Sequence, residues 1–231
     1  PHSSTSAAAL IGGGRAIPLP GEISLAHAGV LFLDELPEFN RQALESLREP
    51  LESGEIVLSR SRQQLRYPAR FQLVAAMNPC PCGQRGQAGG SCRCTPEQMS
   101  RYQARLSGPL LDRLDLRVAV QPVPLSALAA EAVAGESSAV VRARVCASRA
   151  RQQARQGYAN ACLPGHELSQ MLTPAVTRFA QAAGERLGLS ARAYHRVLRV
   201  ARTVADLALA EGIDSAHVAE ALCYRGSVLT D

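Results

Sequence analysis

A short apolar segment that ends in two acids constrains this chain most. Residues 29–33 read GVLFL and are followed directly by Asp34 and Glu35. Consecutive large apolar residues predict a buried strand of an α/β sheet. Nucleotide-hydrolysing α/β domains present a metal-linked carboxylate at the end of such a strand. The alternative is that the two acids only end the strand and start a polar turn.

The chain contains no lysine, because all 25 residues counted as Lys or Arg are arginine. A phosphate-binding loop of the form G-x-x-x-x-G-K-[ST] needs a lysine that reaches the β- and γ-phosphates. A complete loop of this kind is therefore absent from the sequence. We favour the interpretation that the nucleotide-binding start of an ATPase lies upstream of Pro1, since no methionine precedes that residue.

A second apolar segment, residues 71–77 (FQLVAAM), is followed by Asn78 and Pro79. It predicts another buried strand, and Asn78 should then lie at the same carboxyl edge of the sheet as Asp34 and Glu35. A neutral amide there can hydrogen-bond the γ-phosphate or the attacking water without repelling phosphate. Read alone, Asn-Pro is only a turn signal.

Between these two segments the sequence predicts a helix and a hairpin. Apolar residues at helical spacing begin at Ala43, and Pro50 should kink or end that helix. Residues 55–58 (EIVL) and 64–67 (QLRY) then flank the basic turn 59–62 (SRSR). Arg60 and Arg62 at the tip could contact nucleic-acid phosphates, which carry no sequence information, or could simply be solvated. Arg15, in a Gly-rich loop, is a weaker candidate for the same role.

Four of the seven cysteines lie close together in the sequence, at Cys80, Cys82, Cys92 and Cys94. Four thiolates suffice for a tetrahedral Zn²⁺ site, although the C-x-C spacing differs from the usual C-x₂-C. Zinc, reduced thiols and redox disulfides all remain open. The odd total of seven argues against a complete disulfide framework.

The composition divides the chain into an α/β part, residues 1–120, a linker rich in Pro, Ser and Ala, residues 121–138, and a helical part, residues 139–231. Helices are predicted over 139–156, 174–187, 190–210 and 215–224. With 46% hydrophobic residues and no apolar run of about 20, we expect a soluble, cytoplasmic protein with no membrane partner. The net charge of +5 carries little weight, because the exclusive use of arginine looks like a codon preference.

Several motifs together resemble an AAA+ ATPase, in that family's order. They resemble Walker B (29–35, GVLFLDE), sensor 1 (75–79, AAMNP), the arginine finger (110–116, LLDRLDL) and sensor 2 (189–192, LSAR). Residues 20–27 (PGEISLAH) and 78–83 (NPCPCG) are similar, more closely, to the magnesium-chelatase-like ComM/YifB family. The resemblance covers nearly the whole chain.

The resemblance implies a partial AAA+ parallel-sheet core with a β-hairpin insert, followed by an all-α lid domain. Asp34 would hold Mg²⁺ through water, Glu35 would orient and deprotonate the attacking water, and Asn78 would be sensor 1. Arg113 would be the finger supplied to a neighbouring subunit, unless it only pairs with Asp112 or Asp115 on the surface. Arg192 would be sensor 2, unless it is merely solvent-exposed.

Members of that family act as hexameric DNA motors in branch migration during natural transformation, with a Lon-like domain and the P-loop half preceding the part seen here. The resemblance therefore implies ATP and Mg²⁺ as cofactors, DNA as partner, self-association into a ring, and no activity of this chain alone. Two alternatives stay open: an ATPase subunit of a magnesium-chelatase-type complex acting on a protein, and a non-enzymatic zinc-dependent nucleic-acid-binding module.

Overall fold

The computed structural model describes residues 1–14, 18–60, 63–86, 91–123 and 135–225. They form two compact units, one up to Leu114 and one from Asp115 onward. The first is mixed α/β and the second is helical. Part of the predicted linker, residues 124–134, lies outside the described residues.

The first unit contains three pairs of strands and six helices among its described residues. The strands are β1 (Gly12–Gly13), β2 (Leu19–Pro20), β3 (Val30–Leu33), β4 (Glu55–Arg60), β5 (Gln63–Pro68) and β6 (Gln72–Ala75). The helices are α1 (Ala7–Ile11), α2 (Glu22–Leu25), α3 (Arg41–Ser46), α4 (Pro50–Ser53), α5 (Pro96–Gln103) and α6 (Gly108–Leu111). A 3₁₀ turn covers Leu36–Glu38. Strands β1–β2 and β4–β5 pair antiparallel, and β3–β6 pair parallel.

The parallel pair β3–β6 confirms the two predicted strands but corrects their burial. Leu31 and Leu33 are buried, whereas Val30 and Phe32 are 62% and 50% exposed. Strand β6 is mostly exposed as well. We expected strands buried on both faces because their apolar residues are consecutive. Among the described residues, the core packs against one face only, so burial alternates along β3 with the period of a strand.

The core of the first unit lies on that buried face. Its buried members are Leu10, Ile23, Leu31, Leu33, Leu36, Phe39, Ala43, Leu44, Leu47, Ile56, Ala69, Leu106 and Leu110. The side chain of Asn40 accepts a 2.8 Å hydrogen bond from the backbone N–H of Gln42 and so starts α3. We expected Pro50 to kink or end this helix, but the helix already ends at Ser46, and Pro50 instead begins α4.

The β4–β5 hairpin is longer than predicted. Ser59 and Arg60, expected in the turn, continue β4 and pair with Gln64 and Gln63. Two further antiparallel pairs therefore extend the ladder toward the tip. The remaining turn residues, 61 and 62, lie outside the described residues.

The helical unit begins with α7 (Ser138–Gln156), as predicted to within one residue. It continues with α8 (Gly165–Gln170), α9 (Pro174–Arg186), α10 (Ala191–Leu207) and α11 (Ser215–Cys223). A short 3₁₀ turn covers Asn160–Cys162. Helix α8 was not predicted, because its short sequence carries little periodicity. Along the described part of the chain, no helix is both long and apolar enough to cross a membrane.

The core of the helical unit gathers around α10. Its buried members are Leu163, Leu168, Val176, Ala180, Val197, Leu198, Ala201, Ile213, Val218 and Ala221. Four residues at helical spacing on α10 belong to this cluster or pack against it, namely Tyr194, Val197, Leu198 and Ala201. The helix starts where the side chain of Ser190 accepts a hydrogen bond from the backbone N–H of Ala193.

Candidate functional site

The acidic segment after β3 and the Asn78 segment after β6 leave the sheet side by side. Leu33 and Ala75 are the last paired residues of the two strands. Beyond them the backbone N–H of Ala76 donates to the oxygen of Leu33, and that of Leu36 donates to the oxygen of Ala76, each at 2.9 Å. The structure therefore places these two segments at one carboxyl edge, as the sequence predicted.

Glu35 has an unusual backbone at this edge. Its φ of 52° and ψ of 48° are left-handed, which is uncommon for residues other than glycine. Its backbone N–H donates to Oδ1 of Asp34 at 2.9 Å. Both side chains are exposed. Non-glycine residues in this conformation cost of order 1–3 kcal/mol and cluster at functional sites.

The Asn78 amide packs against Gly83 and lies near α5. A Cβ atom at Gly83 would lie 3.6 Å from Cγ of Asn78, so the amide packs directly over that glycine. The hydroxyl of the buried Tyr102 lies near the Asn78 backbone. Burial, followed by the nearby charge of Glu38, raises the pKa of Tyr102. Asn78 itself is exposed at the edge of the sheet.

Arg105, just beyond α5, ties that helix to the segment after Glu35. Its Nη1 donates to the backbone oxygen of Pro37 at 2.9 Å and to Oε2 of Glu38 at 2.8 Å. Tyr102 and Arg105 thus support both halves of the candidate site, although sequence reasoning assigned them no role. Nothing in the local pattern marks them, since their partners lie far away in the sequence.

Arg113 forms an ion pair with Glu52, a partner that the sequence did not suggest. Its Nη1 also donates to the backbone oxygen of Pro109 at 2.8 Å, and its side chain is only 8% exposed. The guanidinium lines a surface cavity of about 460 Å³ whose other lining residues are Glu45, Arg48, Glu49, Glu52 and Ser53. The finger role of Arg113 stays a prediction.

The remaining arginine candidates lie in different settings. Arg192 is exposed in the first turn of α10. One turn further along, Nη1 of Arg196 binds Oδ1 of Asp115 at 2.6 Å. Arg15 and Arg62 lie outside the described residues, and for Arg60 only the backbone, in β4, is described. The proposed contacts of these arginines with nucleotide or DNA stay predictions.

The four clustered cysteines come together in space. Their Sγ atoms all lie within 4.8 Å of one another. Cys80 is fully buried, Cys82 is exposed, and Cys92 and Cys94 are intermediate. All four are free thiols.

The pKa values of the thiols differ within the cluster. A hydrogen bond from the Gln84 backbone, followed by one from the Cys80 thiol, lowers the pKa of Cys82 to about 6. A backbone hydrogen bond from Cys82 opposes the shift at Cys94, but the Cys82 side chain, desolvation and the other thiols raise the pKa of Cys94 to about 12. One thiolate therefore forms readily, and its charge opposes the formation of others.

Two family models match this chain. The model described as magnesium chelatase, subunit ChlI, matches residues 1–128, which is more than half of the chain. The chain belongs to the magnesium chelatase ChlI family. The C-terminal model of the same subunit matches residues 135–225 and so covers the helical unit of this magnesium chelatase-like chain.

Relatives place the chain within the magnesium-chelatase-like family beside YifB and ComM. It is 53% identical to the uncharacterized protein YifB of Salmonella typhimurium over 227 residues, 97% of this chain and 44% of that protein. It is 51% identical to the competence protein ComM of Haemophilus influenzae over 230 residues, 99% of this chain and 45% of that protein. The chain thus spans less than half the length of these relatives.

A shorter match is to a subunit of a magnesium chelatase. The magnesium-chelatase 38 kDa subunit of Acidiphilium rubrum is 38% identical over 60 residues, 26% of this chain and 17% of that subunit. The matches to ComM and YifB therefore cover nearly the whole chain, whereas the match to this chelatase subunit covers 60 residues.

Proposed function

We propose that this chain carries the hydrolytic carboxylates of an AAA+ ATPase that acts as a motor on DNA. The observation that carries the proposal is the β3–β6 pair, which puts Asp34, Glu35 and Asn78 on segments joined at one edge of the sheet. The left-handed backbone of Glu35 supports it, since strain of this kind clusters at functional sites.

In this proposal ATP and Mg²⁺ are the cofactors. Asp34 is exposed and offers a carboxylate that suits Mg²⁺, which prefers oxygen ligands and keeps several waters. When bound, Mg²⁺ neutralises charge that develops on the phosphoryl oxygens. Glu35 accepts a proton from the attacking water, and Asn78 orients that water or the γ-phosphate through its amide. The third cofactor we propose is Zn²⁺ on the four clustered thiols, with a structural role.

In this proposal six subunits form a ring, and each subunit completes the nucleotide site of its neighbour. Arg113 stabilises charge on a neighbour's phosphoryl group, and Arg192 senses the nucleotide. The tip of the β4–β5 hairpin, with Arg60 and Arg62, contacts DNA phosphates. Sequence identity of 51% to a protein named competence protein ComM supports a role with DNA. Without a phosphate-binding lysine, this chain alone is expected to turn over no ATP.

A second candidate function is that of an ATPase subunit of a magnesium-chelatase-type complex, which acts on a protein partner. The 60-residue match to the Acidiphilium rubrum subunit favours it. A third candidate is a zinc-dependent nucleic-acid-binding module without catalysis. The result expected for such a module is DNA binding that a chelator abolishes but that survives loss of Asp34.

The test uses a full-length chimera in which this chain replaces the matching segment of the Haemophilus ComM protein. ATP turnover is measured with and without DNA. We expect stimulation by DNA and a loss of about 10³–10⁵ in rate for Arg113→Ala. Arg48→Ala, in the same cavity, is the matched control, and Glu52→Gln removes the ion-pair partner while keeping Arg113.

The outcomes separate the candidates. Turnover that DNA does not change favours the chelatase-type function. Chimera turnover that is absent, while DNA binding is sensitive to chelator, favours the binding module. If Glu52→Gln lost as much turnover as Arg113→Ala, the guanidinium would act through its ion pair with Glu52 rather than as a finger.

A further inference from the structure

The sulfur atoms of the cysteine cluster are spaced as the ligands of one tetrahedral ion would be. Cys80 and Cys82 Sγ lie 3.4 Å apart, Cys82 and Cys92 Sγ 3.6 Å, and Cys80 and Cys92 Sγ 3.7 Å. With Zn–S bonds of about 2.3 Å, the edge of a ZnS₄ tetrahedron is about 3.8 Å. Cys94 Sγ completes the set, within 4.8 Å of the other three.

The same distances do not fit disulfides. A disulfide joins its sulfurs at about 2.05 Å, whereas the three sulfur pairs of Cys80, Cys82 and Cys92 lie 3.4–3.7 Å apart. Four mutually close thiols offer soft ligands in a closed set, the pattern of structural zinc sites. The geometry therefore favours a shared metal ion over paired cysteines.

The first ligand lies beside the Asn78 segment. Cys80 is two residues after Asn78 and is fully buried. Its backbone oxygen accepts a 3.0 Å hydrogen bond from the N–H of Gly83, the residue over which the Asn78 amide packs. An ion held by Cys80 and Cys82 would therefore fix the turn against which Asn78 rests.

The last ligand lies beside α5. Cys94 immediately precedes Thr95, which caps α5 with a full capping box: Thr95 N–H donates to Oε1 of Gln98 at 2.9 Å, and Gln98 N–H donates back to Oγ1 of Thr95. That helix carries Tyr102 to the Asn78 backbone, and Arg105 just beyond it binds Pro37 and Glu38.

We propose that Cys80, Cys82, Cys92 and Cys94 bind one Zn²⁺ and that this ion is a clamp for the candidate hydrolysis site. It joins the turn beneath Asn78 to α5, which carries Tyr102 near Asn78 and is followed by Arg105, the residue that binds Pro37 and Glu38. The four cysteines are positioning residues and take no part in the chemistry. What Asn78 does there rests on the proposed function, whereas the clamp itself does not.

The first experiment measures zinc content and hydrogen exchange on this chain. We expect one zinc per chain in the wild type, and none in Cys92→Ser/Cys94→Ser. The matched control is Cys146→Ser/Cys223→Ser, two exposed thiols of the helical unit, which should keep the metal. Loss of zinc should speed amide exchange in residues 76–86 at least tenfold and leave α10 unchanged.

Removal of zinc from the wild type by a chelator, followed by its return, gives the same comparison without a substitution. Restored protection in residues 76–86 supports the clamp. A chain without zinc, or with zinc whose removal leaves exchange in 76–86 unchanged, overturns the proposal.

A last experiment distinguishes a role of the zinc ion in positioning Asn78 from a role in stability alone. In the full-length chimera, Cys92→Ser/Cys94→Ser should lower kcat for ATP at least tenfold with KM unchanged, and Tyr102→Phe should lower kcat while the zinc stays bound. Unchanged kcat in both overturns the positioning role. If the wild-type chimera hydrolyses no ATP, the proposed function fails, while zinc content and exchange still decide the clamp.

Discussion

Glu35 adopts a backbone conformation that glutamate rarely adopts, and the turn that follows explains why it does. Leu36 and Pro37 are buried immediately after it, and the N–H of Leu36 binds the oxygen of Ala76. These anchors hold the left-handed conformation in place. The exposed carboxylate is thereby fixed at the edge of the sheet, at a cost in stability.

This conformational cost predicts that the glycine variant at position 35 is more stable than the alanine variant. A left-handed conformation costs a residue with a Cβ about 1–2 kcal/mol, whereas glycine adopts it freely. In urea denaturation we expect the free energy of unfolding of Glu35→Gly to be about 1 kcal/mol higher than that of Glu35→Ala. At Glu185, exposed in α9, the order should reverse, because glycine is the poorer helix former. Equal or higher stability of Glu35→Ala would show that the strain is absent.

A second residue, Asp206, holds a buried network in the helical unit. Its carboxylate is fully buried and accepts hydrogen bonds from Arg155 at 2.7 and 2.9 Å, from Arg202 at 2.9 Å and from Asn160 at 2.8 Å. Burial opposes its ionisation, but the hydrogen bonds from Arg155 and Asn160 and the charge of Arg202 lower the pKa of Asp206 below its usual value.

The network predicts that Asp206→Ala destabilises the helical unit by about 3–5 kcal/mol, because two arginines lose a buried partner. Since the folded pKa is lowered, the stabilisation is fully present above the unfolded pKa of about 3.9 and is lost as pH falls through the folded value. Denaturation of wild type and variant from pH 7 to pH 2 should show the difference shrinking only below about pH 4. A difference that does not change with pH would contradict this explanation.

At the scale of elements, the proposed role of the β4–β5 hairpin leads to a specific prediction about the salt dependence of DNA binding. Each phosphate contact that is lost should reduce the slope of log Kd against log salt by about 1. We expect this for Arg60→Ala and Arg62→Ala in the full-length chimera, equally for any DNA sequence. Arg66→Ala is the control, because that side chain lies on the same hairpin and pairs with Glu55 at 3.1 Å. Equal slopes in all three variants would exclude the hairpin tip from DNA binding.

Local patterns predicted the longer helices and the strands β3 to β6, and left out the contacts that join them. The apolar run before Asp34, the hairpin around residues 59–62 and the helices of the second unit all carry their signal within a few residues. The bond of Arg105 to Pro37 and the ion pair of Arg113 with Glu52 join positions 68 and 61 residues apart. No periodicity encodes such partners. The left-handed Glu35 was missed for a related reason, because the buried Leu36 and Pro37 impose it.

At the scale of the whole molecule, the described chain of this magnesium chelatase-family protein presents its candidate hydrolytic residues on a sheet with one exposed apolar face. Phe32 and Val74 are 50% and 42% exposed there. The chain covers 44–45% of YifB and ComM, so the activity of the whole protein is a proposal. The central claim is that the edge formed by β3 and β6 performs hydrolysis.

The most direct test of that claim is steady-state ATP turnover of the full-length chimera with Glu35→Gln. Loss of a general base should lower kcat by about 10²–10⁴, while KM for ATP stays within about twofold because the amide keeps the shape of the side chain. Glu185→Gln should change neither constant. A Glu35→Gln chimera with kcat within twofold of the unsubstituted chimera would contradict the claim.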